Sequence, residues 1–259
     1  MMRFLQHRVL IIGDQEADRA QVQQLLRGNN MRRFGGQQVL PDPNQMEYVQ
    51  VASVQAAIDD PNTGDLESYC ADVQQQLGPA ITQGVHAVVL VMRRGALLAG
   101  DKSNYTLFVE RLCQSQVPCV AVILGCEREG ADAIGQADHV QAALRNQGVN
   151  VGAVVQAAAV EGGRFEGAAQ PLRQQTREAV IEAIRTHARA HNQPFVVEAN
   201  NIAPAVRAIA TEQKRASSVL GLVANSLQLL QAHPMRLISA LAVILAVVLA
   251  YIRSMVFQP

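Results

Sequence analysis

The sequence predicts an α/β chain: a doubly wound, mostly parallel sheet followed by a C-terminal helix and a membrane anchor. Two observations point to the sheet. Short β-branched runs alternate with longer polar–apolar periodic segments from Arg8 onward, the pattern of strand–helix–strand units. In addition, Ala87–Val91 and Val120–Leu124 are continuously apolar rather than alternating, as in strands covered on both faces. A third observation, an uncharged apolar run near the C-terminus, predicts the anchor.

Strands are expected at Val9–Ile12, Tyr48–Val54, His86–Met92, Pro118–Leu124 and Val149–Gln156. Helices are expected at Glu16–Arg27, Leu66–Gln76, Asp101–Gln114, Gln136–Asn146 and Pro171–Ala190, where apolar positions recur every three to four residues. The stretch from Arg27 to Glu47, with Gly28, Gly35, Gly36, Pro41 and Pro43, reads as a long irregular connection. Ligands of such sheets bind at the carboxyl ends of strands, which directs attention to the loops starting at Gly13, Asp59, Arg93 and Gly125.

The chain has 259 residues, 49% of them apolar and 17% charged, enough for one globular domain with additional segments. Its 22 basic and 22 acidic residues cancel, so no global field gathers phosphate backbones and nucleic acid is not expected as a partner. Cys70, Cys113, Cys119 and Cys126 form no CxxC pair and have no histidines at zinc-ligand spacing. No metal and no disulfide framework are expected, which suits a reducing, cytosolic face. Cys126 is the cysteine expected to be best exposed.

After Ala190 a boundary is expected near Asn192, dividing the chain into a domain over 1–192, a linker and amphipathic helix over 193–234, and an anchor over 235–259. Val206, Ile209, Leu220, Val223, Leu227 and Leu230 form the stripe of that helix, which ends at His233-Pro234. The anchor is the 16-residue run LISALAVILAVVLAYI, Leu237 to Ile252, bracketed by Arg236 and Arg253. As a helix it spans about 24 Å, and snorkelling arginines extend it toward the ~30 Å of a hydrocarbon core. Ser239 is its one polar residue, which leaves no face for water. With seven residues following it, the run is expected to act as a tail anchor. The domain would then sit on the cytosolic face of the mitochondrial outer membrane, the endoplasmic reticulum or the peroxisome. Protein partners or self-association are expected there.

The segment Gly84-Val85-His86-Ala87-Val88-Val89-Leu90-Val91-Met92, then Arg93-Arg94-Gly95, then Asp101 opening a helix, resembles the signature box of the GIMAP/AIG-type immunity-associated GTPases, relatives of Toc and septin-like P-loop GTPases. The resemblance covers Arg8–Ala190 in element order and Leu66–Leu124 in residue detail. It implies a G domain, GTP or GDP as ligand, and nucleotide-contacting positions at Gly13, Asp18, Arg19, Ala20, Asp60, Gly64 and Arg128.

The residues at those positions oppose nucleotide chemistry. A P-loop needs G-x-x-x-x-G-K-[ST] so that backbone, lysine and hydroxyl hold the phosphates and Mg²⁺. Gly13 matches it, but Asp18, Arg19 and Ala20 replace the second glycine, the lysine and the hydroxyl. Asp14, Glu16 and Asp18 suit the helix dipole and repel a triphosphate. Asp60-Pro61-Asn62-Thr63-Gly64 has one residue too many for Asp-x-x-Gly and also reads as a plain turn. In Gly125-Cys126-Glu127-Arg128, Arg128 stands where an aspartate would accept the two guanine hydrogens. The expectation is a pseudo-GTPase with no catalytic residue; the alternative is a GTPase that binds nucleotide through Gly13, Arg19 and backbone amides. The opening Val9–Glu16 also resembles a response-regulator receiver, but Arg93 stands where that family places its phosphate-accepting aspartate.

Overall fold

The computed structural model describes residues 7–27, 46–54, 66–95, 97–126, 135–158, 166–190 and 193–232. Among the described residues six strands form one sheet: β1 (Arg8–Gly13), β2 (Glu47–Gln50), β3 (Ala87–Arg93), β4 (Cys119–Leu124), β5 (Gly135–Gln136) and β6 (Ala153–Ala157). Their order is β2-β1-β3-β4-β6-β5. All neighbouring pairs are parallel except β5–β6, so five parallel strands carry a short antiparallel edge. The order reverses direction between β1 and β3, which makes their carboxyl ends the topological switch point of the sheet.

Both faces of the sheet are covered, as the continuous apolar runs required. Val9, Ile11, Val89, Val91, Val120 and Val122 pack in one core with Val22 and Leu26 of α1 (Glu16–Arg27) and with Val180 and Ile184 of a long helix, Glu166–Ala190. The alternate residues Leu10, Ile12, Val88 and Leu90 are equally buried on the other side. The helices in chain order are α1, α2 (Leu66–Gln76), α3 (Gly78–Gln83), α4 (Ala99–Tyr105), α5 (Asp138–Asn146), α6 (Glu166–Ala190) and α7 (Ala199–Ala232). Thr176 of α6, fully buried, accepts the Ala158 amide at 3.0 Å and so closes the end of β6.

Three local expectations need correction. The strand expected at Tyr48–Val54 ends at Gln50, because Ser53 and Val54 turn to meet Asn104. The helix expected at Asp101–Gln114 is α4 followed by a π-helical stretch, Thr106–Leu112, in which the Cys113 amide reaches back to Phe108. It ends with Gln114 and Ser115 in left-handed conformations at φ 52° and 56°. Helix α3 was not anticipated; Pro79 in its first turn, where no amide donor is needed, lets so short a piece form. Gln136, expected to open the helix Gln136–Asn146, pairs with Val155 of β6 instead, and the helix starts at Asp138.

The chain divides into two compact units, residues 1–206 and 207–259. Within the first, the segment after α6 returns to the amino edge of the sheet, where Val85 and Phe195 exchange backbone hydrogen bonds of 2.8 and 2.9 Å. Val197, Ile202 and Val206 are buried there. The second unit contains the remainder of α7, in which Thr211 Oγ1 donates to the Arg207 carbonyl. Among the described residues, no helix is long and apolar enough to cross a membrane. Arg236, Leu237, Ile252 and Arg253, on which the anchor expectation rests, lie outside the described residues.

At the amino edge, Arg8 is buried and donates to Glu47 Oε2 and to the Gly84 carbonyl, while the Arg8 amide donates to His86 Nδ1 at 3.0 Å. The ring of His7 meets that of His86 edge to face, with centroids 5.0 Å apart. Burial, with His7 and Arg8 adding like charge, lowers the His86 pKa to about 4. An unfolded histidine takes up its proton near 6.5, so between pH 6.5 and 4 the unfolded chain binds the extra proton. Stability should therefore fall as pH drops through that window, by about 2 kcal/mol after allowance for solvent at the domain edge. Urea midpoints measured at pH 7 and 4.5 check this: His86→Leu, which cannot titrate, should flatten the difference.

Candidate functional site at the carboxyl edge of the sheet

The site is built on the link between β1 and α1. Helix α1 begins at Glu16, so only Asp14 and Gln15 separate strand from helix. Asp18, Arg19 and Ala20 therefore lie on the first turns of α1. Gly13 is required at the end of β1, since a Cβ there would lie 2.5 Å from the Val91 carbonyl oxygen of the neighbouring strand.

Arg19 is buried and turns back on the link: its Nη1 donates to the Gly13 carbonyl at 2.6 Å and to the Asp14 carbonyl at 3.1 Å. Its Nε is buried without a hydrogen-bond partner. Burial lowers its pKa, and the charges of Glu16, Tyr69, Asp14 and Asp18 oppose that effect. Arg93, at the end of β3, holds the buried Asp18 in a bidentate pair of 2.7 and 2.8 Å. Two cations are thus engaged by groups of the protein itself, one with backbone carbonyls and one with a carboxylate.

The sequence-derived positions fare unequally. Gly13, Asp18 and Arg19 come together around this link, and Ala20 follows on α1. Asp60, Gly64 and Arg128 lie outside the described residues. Cys126 is fully buried, its thiol directed to the Ile123 carbonyl, which corrects the expectation that it is the exposed cysteine; Cys70 is the half-buried one. Cys113 and Cys119 are buried deeply enough to push their thiols up to about 12. Sequence reasoning missed Ser53, Asp101 and Asn104, all buried polar residues at this edge. Ser53 stands as the one polar residue of the apolar run 51–54, whereas Asp101 and Asn104 lie in the polar stretch 100–104, where residue type does not mark which side chains are buried. Among the described residues no group of three or more histidines, cysteines or acids is placed to hold a metal.

Fold and site together define a doubly wound α/β domain with a self-engaged β1–α1 link at its switch point. No protein-family model matches the chain, and no curated protein does. Among solved structures, the chain is similar to the cytosolic domain of the T. maritima FeoB iron transporter in its apo form, at a TM-score of 0.37 and 10% identity. The match covers 69% of this chain and 64% of that one, less than two thirds of its length.

Proposed function

We propose that this chain is a G-domain-like module that does not use nucleotide, anchored through residues 237–252 on the cytosolic side of an organelle membrane, where it serves as a surface for protein partners or self-association. The observation that carries this reading is the state of the β1–α1 link. A phosphate cradle offers free backbone amides and an uncommitted cation at the start of the helix. Here the link is two residues long, Arg19 is spent on its carbonyls, and Asp18 brings a carboxylate to the helix start. The likeness of Gly84–Gly95 to the GIMAP/AIG box supports the G-domain part of the reading. The apolar run bracketed by Arg236 and Arg253 supports the membrane part.

Titration calorimetry of GTP, GDP and ATP into the full-length chain in detergent, with and without Mg²⁺, tests the first part. No binding at millimolar nucleotide is expected, whereas micromolar, Mg²⁺-dependent, guanine-selective binding would restore a GTPase. Deleting Leu237–Pro259 tests the second. The truncated chain should leave the membrane pellet for the supernatant, and its retention with membranes would remove the anchor.

A further inference from the structure

Helix α7 carries a pattern that the site at the carboxyl edge does not use. From Ala199 to Leu230 an apolar residue recurs at alternating steps of three and four, broken only by Gln213, so the row repeats every seven residues. That period, 3.5, falls short of the ~3.6 of a straight α-helix. The row therefore drifts by about 20° per repeat, or about 80° from Ile202 to Leu230. A helix seated on a globular core shows a stripe of period ~3.6, whereas a row held at 3.5 stays in contact along its length only with a second helix that winds around it.

The row is divided between the two compact units. Ile202 and Val206 are buried in the first. The second begins with Ile209, also buried, and continues with Gln213, Leu220 and Leu227 at the a positions of the repeat and Ala216, Val223 and Leu230 at the d positions. Among the described residues that unit has no other helix or strand, so no described element of it lies over the row. The one polar position, Gln213, is an a position, where a single polar residue sets the register of a coiled coil.

Two observations select a second copy of this chain as the occupant. The first is charge. Partner choice between unlike helices is set by charged e and g positions, and two identical helices are pushed apart when those positions share one sign. Here they are Glu212, Ser217, Val219, Ala224, Ser226 and Gln231, with a single charge that faces Ser217 of a parallel copy. Arg207, Lys214 and Arg215 lie off the seam, at b and c, and are exposed. The second observation is where the chain leads. Helix α7 ends at Ala232, and the apolar run begins five residues later at Leu237. With that run in a membrane, the C-terminal ends of α7 from two copies stand level at one surface, which makes them parallel and raises their effective concentration. Leu222 and Leu229, beside the seam, make lipid the competing occupant.

We propose that α7 pairs over residues 213–230 with α7 of a second copy, as a parallel, in-register coiled coil. This pairing supplies the partner for the membrane-surface role proposed above and rests on that role for its parallel direction alone.

Single cysteines in the full-length chain in detergent, with the half-buried Cys70 replaced by serine, test the seam under mild oxidation by copper phenanthroline. Leu220→Cys and Leu227→Cys should each link to the same position of a second chain at least about tenfold faster than Ser218→Cys and Asn225→Cys, which occupy the f positions opposite the seam. Two positions one repeat apart both self-link only when the helices are parallel and in register. Equal rates at all four positions overturn the pairing, as does the absence of links at Leu220→Cys and Leu227→Cys, the result given by a helix lying on lipid. Sedimentation provides a second reading without cysteines. The wild-type chain in detergent should have the mass of two chains, and Leu220→Lys/Leu227→Lys the mass of one with an unchanged melting midpoint for the first unit. A wild-type monomer overturns the pairing, and so does a lysine variant that stays paired. If a chain lacking residues 237–259 stays with membranes while Leu220→Cys and Leu227→Cys still self-link, the anchor falls and the seam stands.

Discussion

Replacing Gly13 with alanine should cost at least about 3 kcal/mol and is expected to leave little folded protein. The new methyl carbon would sit 2.5 Å from the Val91 carbonyl oxygen, far inside van der Waals contact. The obstacle is backbone in two adjacent interior strands, β1 and β3, with Val91 2% exposed, so no side chain can swing away. A domain of this size has a net stability of about 5–15 kcal/mol, and the substitution removes a large part of it. Gly95 supplies the control. It too has a positive φ, 130°, but a Cβ there meets nothing within 4 Å, so Gly95→Ala should cost only about 1 kcal/mol of backbone strain. Equal urea midpoints for the two variants would remove the packing argument.

The second large effect is an asymmetry in the Asp18–Arg93 pair. The Asp18 side chain is 4% exposed and the Arg93 side chain 66%. Arg93→Ala leaves a carboxylate buried without its bidentate donor and should cost about 2–3 kcal/mol, less than a fully buried pair because solvent already reaches the arginine. Asp18→Ala returns the arginine to water and should cost less than about 1 kcal/mol. Denaturation of the two single variants and the double variant measures this directly. The double variant should resemble Asp18→Ala, since removing the buried charge removes the need for its partner. Equal costs for the single variants would mean that Asp18 is not the desolvated member.

The strands and helices with the strongest patterns were legible in the sequence. Glu16–Arg27 and Leu66–Gln76 carry an apolar stripe at helical period, and both elements form over those residues. Val88–Leu90 and Val120–Ile123 are uniformly apolar because both of their faces are covered, and both lie in central strands. The irregular pieces were not legible. A π-helical stretch is set by how Leu107, Phe108 and Leu112 bury, not by a distinct local composition, and helix α3 is shorter than any periodic window.

At the site, the sequence showed that Asp18, Arg19 and Ala20 lack phosphate-cradle chemistry, because side-chain charge and hydroxyl content are properties of residue type. It did not show what those residues do instead. That Arg19 folds back on Gly13 and Asp14, that Arg93 reaches Asp18 across 75 positions, and that Asp101 caps a link 87 positions away depend on which strands lie side by side. The α/β class, the covered sheet and the charge balance of this chain follow from periodicity and composition, which are local properties of the residues. The parallel order β2-β1-β3-β4-β6 and the self-engaged link were decided only in the tertiary structure. Long-range pairing and burial create the low-dielectric contacts in which a carboxylate or guanidinium must find a partner, and sequence spacing does not encode them.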